Sequence, residues 1–137
     1  MSTGIWYHWV ITFAGGTNGE LKAYRDSTEI MDTTTTWTVT TDDTPMYMGA
    51  RNVKDIGYNN GWDCSLDEIA IFDEVKDVST LYNGGIPSDL SSESGLVGYW
   101  RFEEGSGTTA TDLSGNGNHG TLTTDDTGLP DWSTDTP

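Results

Sequence analysis

Several residue types that define classes of protein are scarce in this chain of 137 residues. Its one cysteine, Cys64, excludes an internal disulfide framework and a zinc site built from cysteines. Every apolar stretch is far shorter than the roughly 20 residues that span a bilayer, so no membrane insertion is expected. The first residues run directly into an aromatic strand pattern, without the basic region and apolar core of a leader. We therefore expect no secretion signal in this stretch.

Basic residues are scarce as well. Six Lys and Arg stand against 22 Asp and Glu, which gives a net charge of −16 and an isoelectric point of about 4.1. This charge repels phosphate backbones and anionic lipid, excludes nucleic acid as a partner, and makes cations the natural ligands. The surplus of acid also suits a salty environment and indicates a marine or halophilic source. With 6 Trp, 6 Tyr and 3 Phe, the sequence indicates a folded acidic domain rather than a disordered chain.

Helical periodicity is nearly absent, whereas short segments of alternating apolar and polar residues recur between turn residues, which predicts an all-β antiparallel fold. Residues 6–13 are apolar on both faces, so this first strand is predicted to be central. The glycine-rich residues 14–19 predict a turn and residues 21–30 the returning strand of a hairpin. Further strands are predicted near residues 37–41, 45–50, 66–75, 96–103, 108–113 and 121–124. A single helical turn is predicted over residues 77–83, capped by Gly84 and Gly85.

Residues 6–13 (WYHWVITF) and 19–26 resemble the paired strands of laminin G-like domains, and residues 62–72 resemble the closing strand of that family. Residues 95–107 and 112–120 resemble the family's opening strands. The resemblance implies a concanavalin A-like jelly-roll β-sandwich, reduced or circularly permuted, because the closing strands come first here. The chain is then either the junction of two tandem repeats or a natural permutant.

The resemblance implies one laminin G-like domain over residues 1–137. Its closing half is 1–83, its connector 84–95, its opening half 96–124 and its flexible tail 125–137. The first and last strands of such sandwiches tend to be neighbours, so residues 66–75 are expected to pair with residues 96–103. The family's central strands have no counterpart here, and the sheet edges or core face that this exposes favour a homo-oligomer or strand exchange.

Oxygen-bearing side chains alternate around glycines in the segment from Asp112 to Asn118. Such spacing is how a calcium loop presents ligands to a hard cation, but it is also typical of a turn in which Asp and Asn bond their own backbone. Both alternatives stay open. If Ca²⁺ binds, as it frequently does in the family, we expect Asp112, Asn116, Asn118 and the nearby Asp67 as ligands.

Carboxylate catalysis needs two acids about 5 to 9.5 Å apart. Along the strand predicted over residues 66–75, Glu68 and Glu74 share a face but lie about 20 Å apart. A pair from two strands, Glu68 with Glu103, is the remaining glycoside hydrolase alternative. We therefore predict that the chain is not an enzyme.

Aromatic rings support a binding function, because exposed Trp and Tyr rings stack on sugar faces. In the polar loop the candidates for carbohydrate binding are Trp62, Tyr58, Asn59 and Asn60. The alternative is that Trp62 anchors the loop and that the other tryptophans, Trp6, Trp9, Trp37 and Trp100, form the core. His8 is predicted to be a packed, hydrogen-bonded histidine. The resemblance implies a non-catalytic, glycan-binding recognition or adhesion module of an extracellular or virion-surface protein, or alternatively a structural repeat that self-associates.

Overall fold

The computed structural model describes residues 4–38, 45–51, 60–61, 64–123 and 130–137. The strands are β1 Trp9–Ala14, β2 Gly19–Arg25, β3 Thr28–Thr35, β4 Ala50–Arg51, β5 Asn60–Gly61, β6 Ile69–Phe72, β7 Leu96–Trp100, β8 Thr109–Ala110 and β9 Gly120–Thr121, with the helix α1 at Val78–Tyr82. Strands make up most of the regular secondary structure of the described residues, and where the register is defined they pair antiparallel, which confirms the all-β prediction. No helix within these residues is long and apolar enough to cross a membrane.

The chain divides into two compact units. The first contains residues 1–41, 72–90 and 137, and the second contains residues 42–71 and 91–136. The division into halves around a connector at 84–95 stays a prediction.

The first unit contains a three-stranded antiparallel sheet in the order β1-β2-β3. The first hairpin pairs Trp9 with Arg25 at one end and Ala14 with Glu20 at the other, as the sequence predicts. Its turn closes tightly, since the Gly19 N–H donates to the Gly16 carbonyl at 3.1 Å. A Cβ on Gly19 would overlap the Ala14 carbonyl oxygen, so only glycine fits at this position.

The returning strand predicted over residues 21–30 is in fact two strands. Asp26 and Ser27 have φ of 51° and 61°, and this left-handed pair makes a two-residue turn between β2 and β3. The sequence analysis did not predict this turn, because the turn contains no glycine. Asp nevertheless tolerates the left-handed backbone conformation. The strand predicted near residues 37–41 is not found at Trp37, since β3 ends at Thr35, and residues 39–41 lie outside the described residues.

One face of this sheet is apolar. Paired residues point to the same side of an antiparallel sheet, so the register gathers six apolar side chains on one side. We call this side the apolar face: Trp9, Ile11, Phe13, Leu21, Ala23 and Met31. The prediction that β1 is central is wrong within the described sheet, because β1 is an edge strand and Ile11 is 70% exposed. Apolar residues on both faces predict cover on both, but Trp9, Ile11 and Met31 on the apolar face stay exposed.

The predicted helical turn is confirmed in α1, but its C-cap is Asn83 rather than the predicted Gly84 and Gly85. Asp77 caps its N-terminus by accepting the Thr80 N–H at 3.0 Å, and Asn83 ends it with a left-handed φ of 44°. These residues stop the helix after little more than one turn.

The second unit contains the most buried aromatic residues. Strand β7 pairs with β6, which confirms the predicted pairing of these segments. Tyr99 is fully buried and Trp100 nearly so, and the Trp100 ring lies against Gly98, where a Cβ would come within 2.8 Å of the ring atom Cζ3. A glycine at position 98 therefore makes room for the ring. The predicted strand 66–75 begins only at Ile69, because Glu68 has a left-handed φ of 51°.

A short hairpin and the chain end complete this unit. Strands β8 and β9 pair antiparallel, and the Leu122 N–H donates to the Thr108 carbonyl at 2.8 Å. In the predicted flexible tail, residues 125–129 lie outside the described residues. The Trp132 indole N–H donates to the Gly107 carbonyl at 2.8 Å, which attaches the last residues to the loop before β8.

Candidate functional site

The loop that joins β8 to β9 brings together three of the four predicted metal ligands. Pairing of Ala110 with Gly120 closes the loop at its base, and Gly115 and Gly117 adopt left-handed φ values of 85° and 76° that turn it back on itself. Asp112 lies at the start of the loop and is 5% exposed. The loop therefore forms around a buried carboxylate.

Both oxygens of Asp112 are occupied by groups of the chain itself. Oδ1 accepts the backbone N–H groups of Tyr99 at 3.0 Å and Ser114 at 2.9 Å. Oδ2 accepts the Asn118 N–H at 2.8 Å and lies 2.9 Å from the Ser114 hydroxyl. A carboxylate has about four lone-pair positions, and each has a partner here. Burial by itself would raise the pKa of Asp112, but the hydrogen bonds from Ser114, Tyr99 and Asn118 outweigh it and lower the pKa to about 2.

The two asparagines bind the edge of β7. Asn116 Nδ2 donates to the carbonyls of Leu96 at 3.1 Å and Val97 at 3.0 Å, and Asn118 Nδ2 donates to the Val97 carbonyl at 2.9 Å. The loop thus supplies side-chain partners to a strand edge that would otherwise carry unpaired backbone groups.

The surroundings of Asp112 extend to two rings. The Asp112 N–H donates to His119 Nδ1 at 3.1 Å, so that nitrogen is the acceptor of this bond. The Trp100 indole N–H donates to the Asn118 carbonyl at 3.0 Å. These bonds join the loop to the buried part of β7.

The geometry fits the turn alternative better than a preformed calcium site. A cation at Asp112 would need oxygens that already accept hydrogen bonds, and the amide donors of Asn116 and Asn118 are directed at carbonyls. In the described part of the chain no three His, Cys, Asp or Glu side chains form a group that could hold a metal ion. Calcium binding stays a prediction.

Asp67, the fourth predicted ligand, interacts with a different set of charges. Its Oδ1 accepts the Glu68 N–H at 3.0 Å. Burial raises the pKa of Asp67, and the negative charges of Glu68 and Glu103 add to this effect, while Arg101 opposes it.

Glu68 is held between a buried tyrosine and an arginine. The Tyr99 hydroxyl donates to Oε2, and Arg101 Nε donates to Oε1 at 2.9 Å. Glu103 binds the same guanidinium, with Nη2 and Oε1 2.6 Å apart. The Glu68 and Glu103 pair that sequence reasoning considered is thus brought together, but as two partners of one arginine. The sequence analysis did not predict the roles of Tyr99 and Arg101. An arginine close to acidic residues in so acidic a chain could have indicated an ion pair.

His8 lies in the first unit next to α1. Its backbone N–H donates to Asp26 Oδ1 at 3.0 Å, its carbonyl accepts the Asp26 N–H at 2.9 Å, and its ring centroid is 5.6 Å from that of Tyr82. The ring is packed as predicted, but its buried Nδ1 has no hydrogen-bond partner among the described residues. Burial lowers the pKa of His8, and the Asp26 carboxylate partly opposes this.

The aromatic rings divide between core and surface. Trp100 is buried, whereas Trp9 and Trp37 are exposed, so the alternative that all four tryptophans are core is wrong. Of the predicted carbohydrate-binding residues, Trp62, Tyr58 and Asn59 lie outside the described residues. The backbone of Asn60 belongs to β5 and pairs with Arg51.

Comparison with known proteins identifies the family. A laminin G-type family model, described as the concanavalin A-like lectin/glucanases superfamily, matches residues 1–80, more than half of the chain. The chain belongs to this superfamily. No curated protein and no solved structure matches it.

The superfamily match contains β1 to β6 and the first residues of α1. It supports the resemblance of residues 1–80 to the family and the sandwich class of fold. Strands β7 to β9 and the Asp112 loop lie beyond the matched residues, so the permuted order stays a prediction. Laminin G-like members are generally non-catalytic carbohydrate- or ligand-binding modules, although the superfamily also includes glycosidases.

Proposed function

We propose that this chain is a non-catalytic recognition module that binds neutral glycans, in an extracellular or virion-surface protein. Membership of the concanavalin A-like lectin/glucanases superfamily supports a carbohydrate- or ligand-binding role. The net charge of −16 favours neutral glycans over sulfated or uronic ones, because like charges repel.

One observation carries the proposal, the exposed indole of Trp37. The side chain is 66% exposed, although burial of so large an apolar ring would stabilise the fold. Its backbone is held at two points. The Trp37 N–H donates to Thr35 Oγ1 at 3.0 Å, and its carbonyl accepts the Gly16 N–H at 3.4 Å. A flat ring on a held backbone can stack on a sugar face with little loss of conformational entropy on binding.

Affinity electrophoresis against soluble neutral glucans, galactans and mannans tests the proposal. Trp37→Ala is expected to weaken binding about five- to tenfold, the range of a single lost stacking contact. Ile86→Ala is the matched control, because Ile86 lies in the same unit, is apolar and is 67% exposed, but has no ring. Equal binding by both variants would exclude Trp37 as the binding site, and no binding of any neutral glycan would overturn the proposed function.

The carbohydrate-binding residues predicted in the polar loop are tested in the same assay. Trp62→Ala tests the site predicted from sequence, together with Tyr58, Asn59 and Asn60. A loss of binding with Trp62→Ala alone would move the glycan site to that loop and leave the proposed function in place.

A glycoside hydrolase is the less favoured alternative. Both oxygens of Glu68 already accept hydrogen bonds from Tyr99 and Arg101, and Glu103 shares the same arginine. Neither Glu68 nor Glu103 therefore presents a free carboxylic acid to a substrate. Release of reducing sugar from the glycans that bind would support the enzyme instead.

A further inference from the structure

The apolar face of the β1-β2-β3 sheet is a second surface that glycan binding does not explain. Trp9, Ile11 and Met31 all belong to it and are exposed, whereas Ala23 between β1 and β3 is buried. Exposed apolar side chains that form one continuous patch on a sheet indicate an interaction site.

Charge is distributed unequally between the two faces of this sheet. The remaining residues that the register places on the apolar face are Arg25, Thr28 and Thr33, so its paired positions carry no carboxylate. The acids lie on the opposite face, where Lys22 pairs with Glu20 at 3.3 Å and with Asp32 at 3.8 Å. In a chain with a net charge of −16, a face without acids is where two copies can approach with least repulsion.

The size of the face sets the strength of the contact. Three strands about 4.8 Å apart and about six residues long give a footprint of roughly 300 Å². A stable interface buries about 800 Å² on each partner, so this footprint supports a weak and reversible contact. A second sheet of the same length and width covers it completely, at the usual separation of about 10 Å.

We propose that the apolar face is covered by the same face of a second copy of this chain, in a weak homodimer with the acidic faces turned outward. The apolar face would then be the contact surface for the self-association that the sequence predicts. This proposal does not depend on glycan binding. Because both copies are strongly acidic, dimerisation should strengthen with salt, which shortens the screening length from about 10 Å at 0.1 M to about 3 Å at 1 M. A contact with a basic partner protein would weaken with salt instead.

Sedimentation velocity of the full chain tests this, from about 10 μM to about 1 mM, the range that a weak interface requires. A reductant is present throughout, because the free and exposed Cys64 could otherwise form a disulfide between copies. We expect a monomer–dimer equilibrium whose dissociation constant falls roughly threefold or more between 0.1 M and 1 M NaCl.

Matched variants locate the contact. Ile11→Glu is expected to weaken dimerisation about tenfold or more, because it would bury a carboxylate in an apolar interface. Ile86→Glu adds the same charge at a similarly exposed isoleucine that belongs to none of the three strands, and it should leave dimerisation nearly unchanged. Met31→Glu, on the other edge strand, should act like Ile11→Glu, and circular dichroism verifies that each variant is folded.

Three results would overturn the proposal. They are a monomer at the highest concentration in 1 M NaCl, equal effects of Ile11→Glu and Ile86→Glu, and a dimer that salt weakens.

Discussion

Asp112 occupies the place of a neighbouring strand beside Tyr99. Its Oδ1 accepts the Tyr99 N–H at 3.0 Å, while the Leu113 N–H donates to the Tyr99 carbonyl at 2.8 Å. Both backbone groups of this fully buried residue are therefore paired by the loop rather than by a strand. The loop for which the sequence left a turn and a calcium site open holds the edge of β7.

Replacing Asp112 with Asn should lower the free energy of unfolding by about 2 kcal/mol at pH 7, the equivalent of the lowered pKa. The side-chain amide introduced at position 112 would place an NH₂ donor opposite the Asn118 N–H, and the carboxylate oxygen that accepts this N–H would be lost. Because the pKa is depressed in the folded state, this stability is present above about pH 4 and is lost as the pH falls towards about 2. Urea unfolding at pH 7, 4 and 2.5 measures it, with Asp131→Asn as the exposed control. A difference between Asp112→Asn and wild type that persists unchanged at pH 2.5 would contradict this explanation.

Calcium separates the two alternatives for the same loop. If the loop is a hydrogen-bonded turn, Asp112→Ala lowers the melting temperature equally in calcium and in chelator. If the loop binds Ca²⁺, wild type melts higher in calcium, since a ligand that binds the folded state stabilises it, and the effect of Asp112→Ala is larger there. The occupied carboxylate leads us to expect the equal loss. Asp67→Asn in both buffers tests the fourth predicted ligand.

The arginine shared by Glu68 and Glu103 gives a matched pair of variants. Glu68 is 16% exposed at its side chain and also binds the Tyr99 hydroxyl, whereas Glu103 is 65% exposed. Glu68→Gln should therefore lower the free energy of unfolding by about 2 kcal/mol. Glu103→Gln should change it by no more than about 0.5 kcal/mol. Chemical unfolding of both variants measures this, and comparable losses would show that exposure does not determine the strength of these ion pairs.

Gly98→Ala should destabilise the second unit by about 1 to 3 kcal/mol, because the new methyl group overlaps the Trp100 ring. The Trp100→Ala background isolates the cause, since Gly98→Ala should then have little effect. Thermal unfolding of the four proteins gives this cycle. A loss that is unchanged in the Trp100→Ala background would assign the effect to the backbone rather than to the ring.

His8 should titrate below the ordinary histidine value of 6.5, because burial disfavours its charged form. The folded state then prefers neutral His8, so stability is complete above about pH 6.5 and declines as the pH falls below it. The chain has two histidines, so proton NMR of the ring Cε1–H signals can follow both, and loss of one signal in His8→Phe assigns it. A midpoint at or above 6.5 for His8 would show that the Asp26 carboxylate outweighs burial.

The sequence by itself determined the local elements. Alternation in residues 6–13 and glycines in 14–19 predict the first hairpin, and the pattern of residues 77–83 predicts the helical turn, since these signals depend on neighbouring residues alone. It also gave the family resemblance and the acidic charge. The turn at Asp26 and Ser27 escaped prediction because its left-handed backbone has no glycine to mark it.

Tertiary structure decided which polar groups meet and which apolar ones stay exposed. The alternation of residues 6–13 predicts a buried first strand, yet the Ile11 side chain in that strand is exposed. Asp112 has the spacing of a metal ligand, but whether a carboxylate binds a cation or backbone N–H groups depends on what folding places around it. Here it places Tyr99 and Asn118 against both oxygens. Local pattern specifies elements, whereas contacts between residues distant in sequence decide their chemistry.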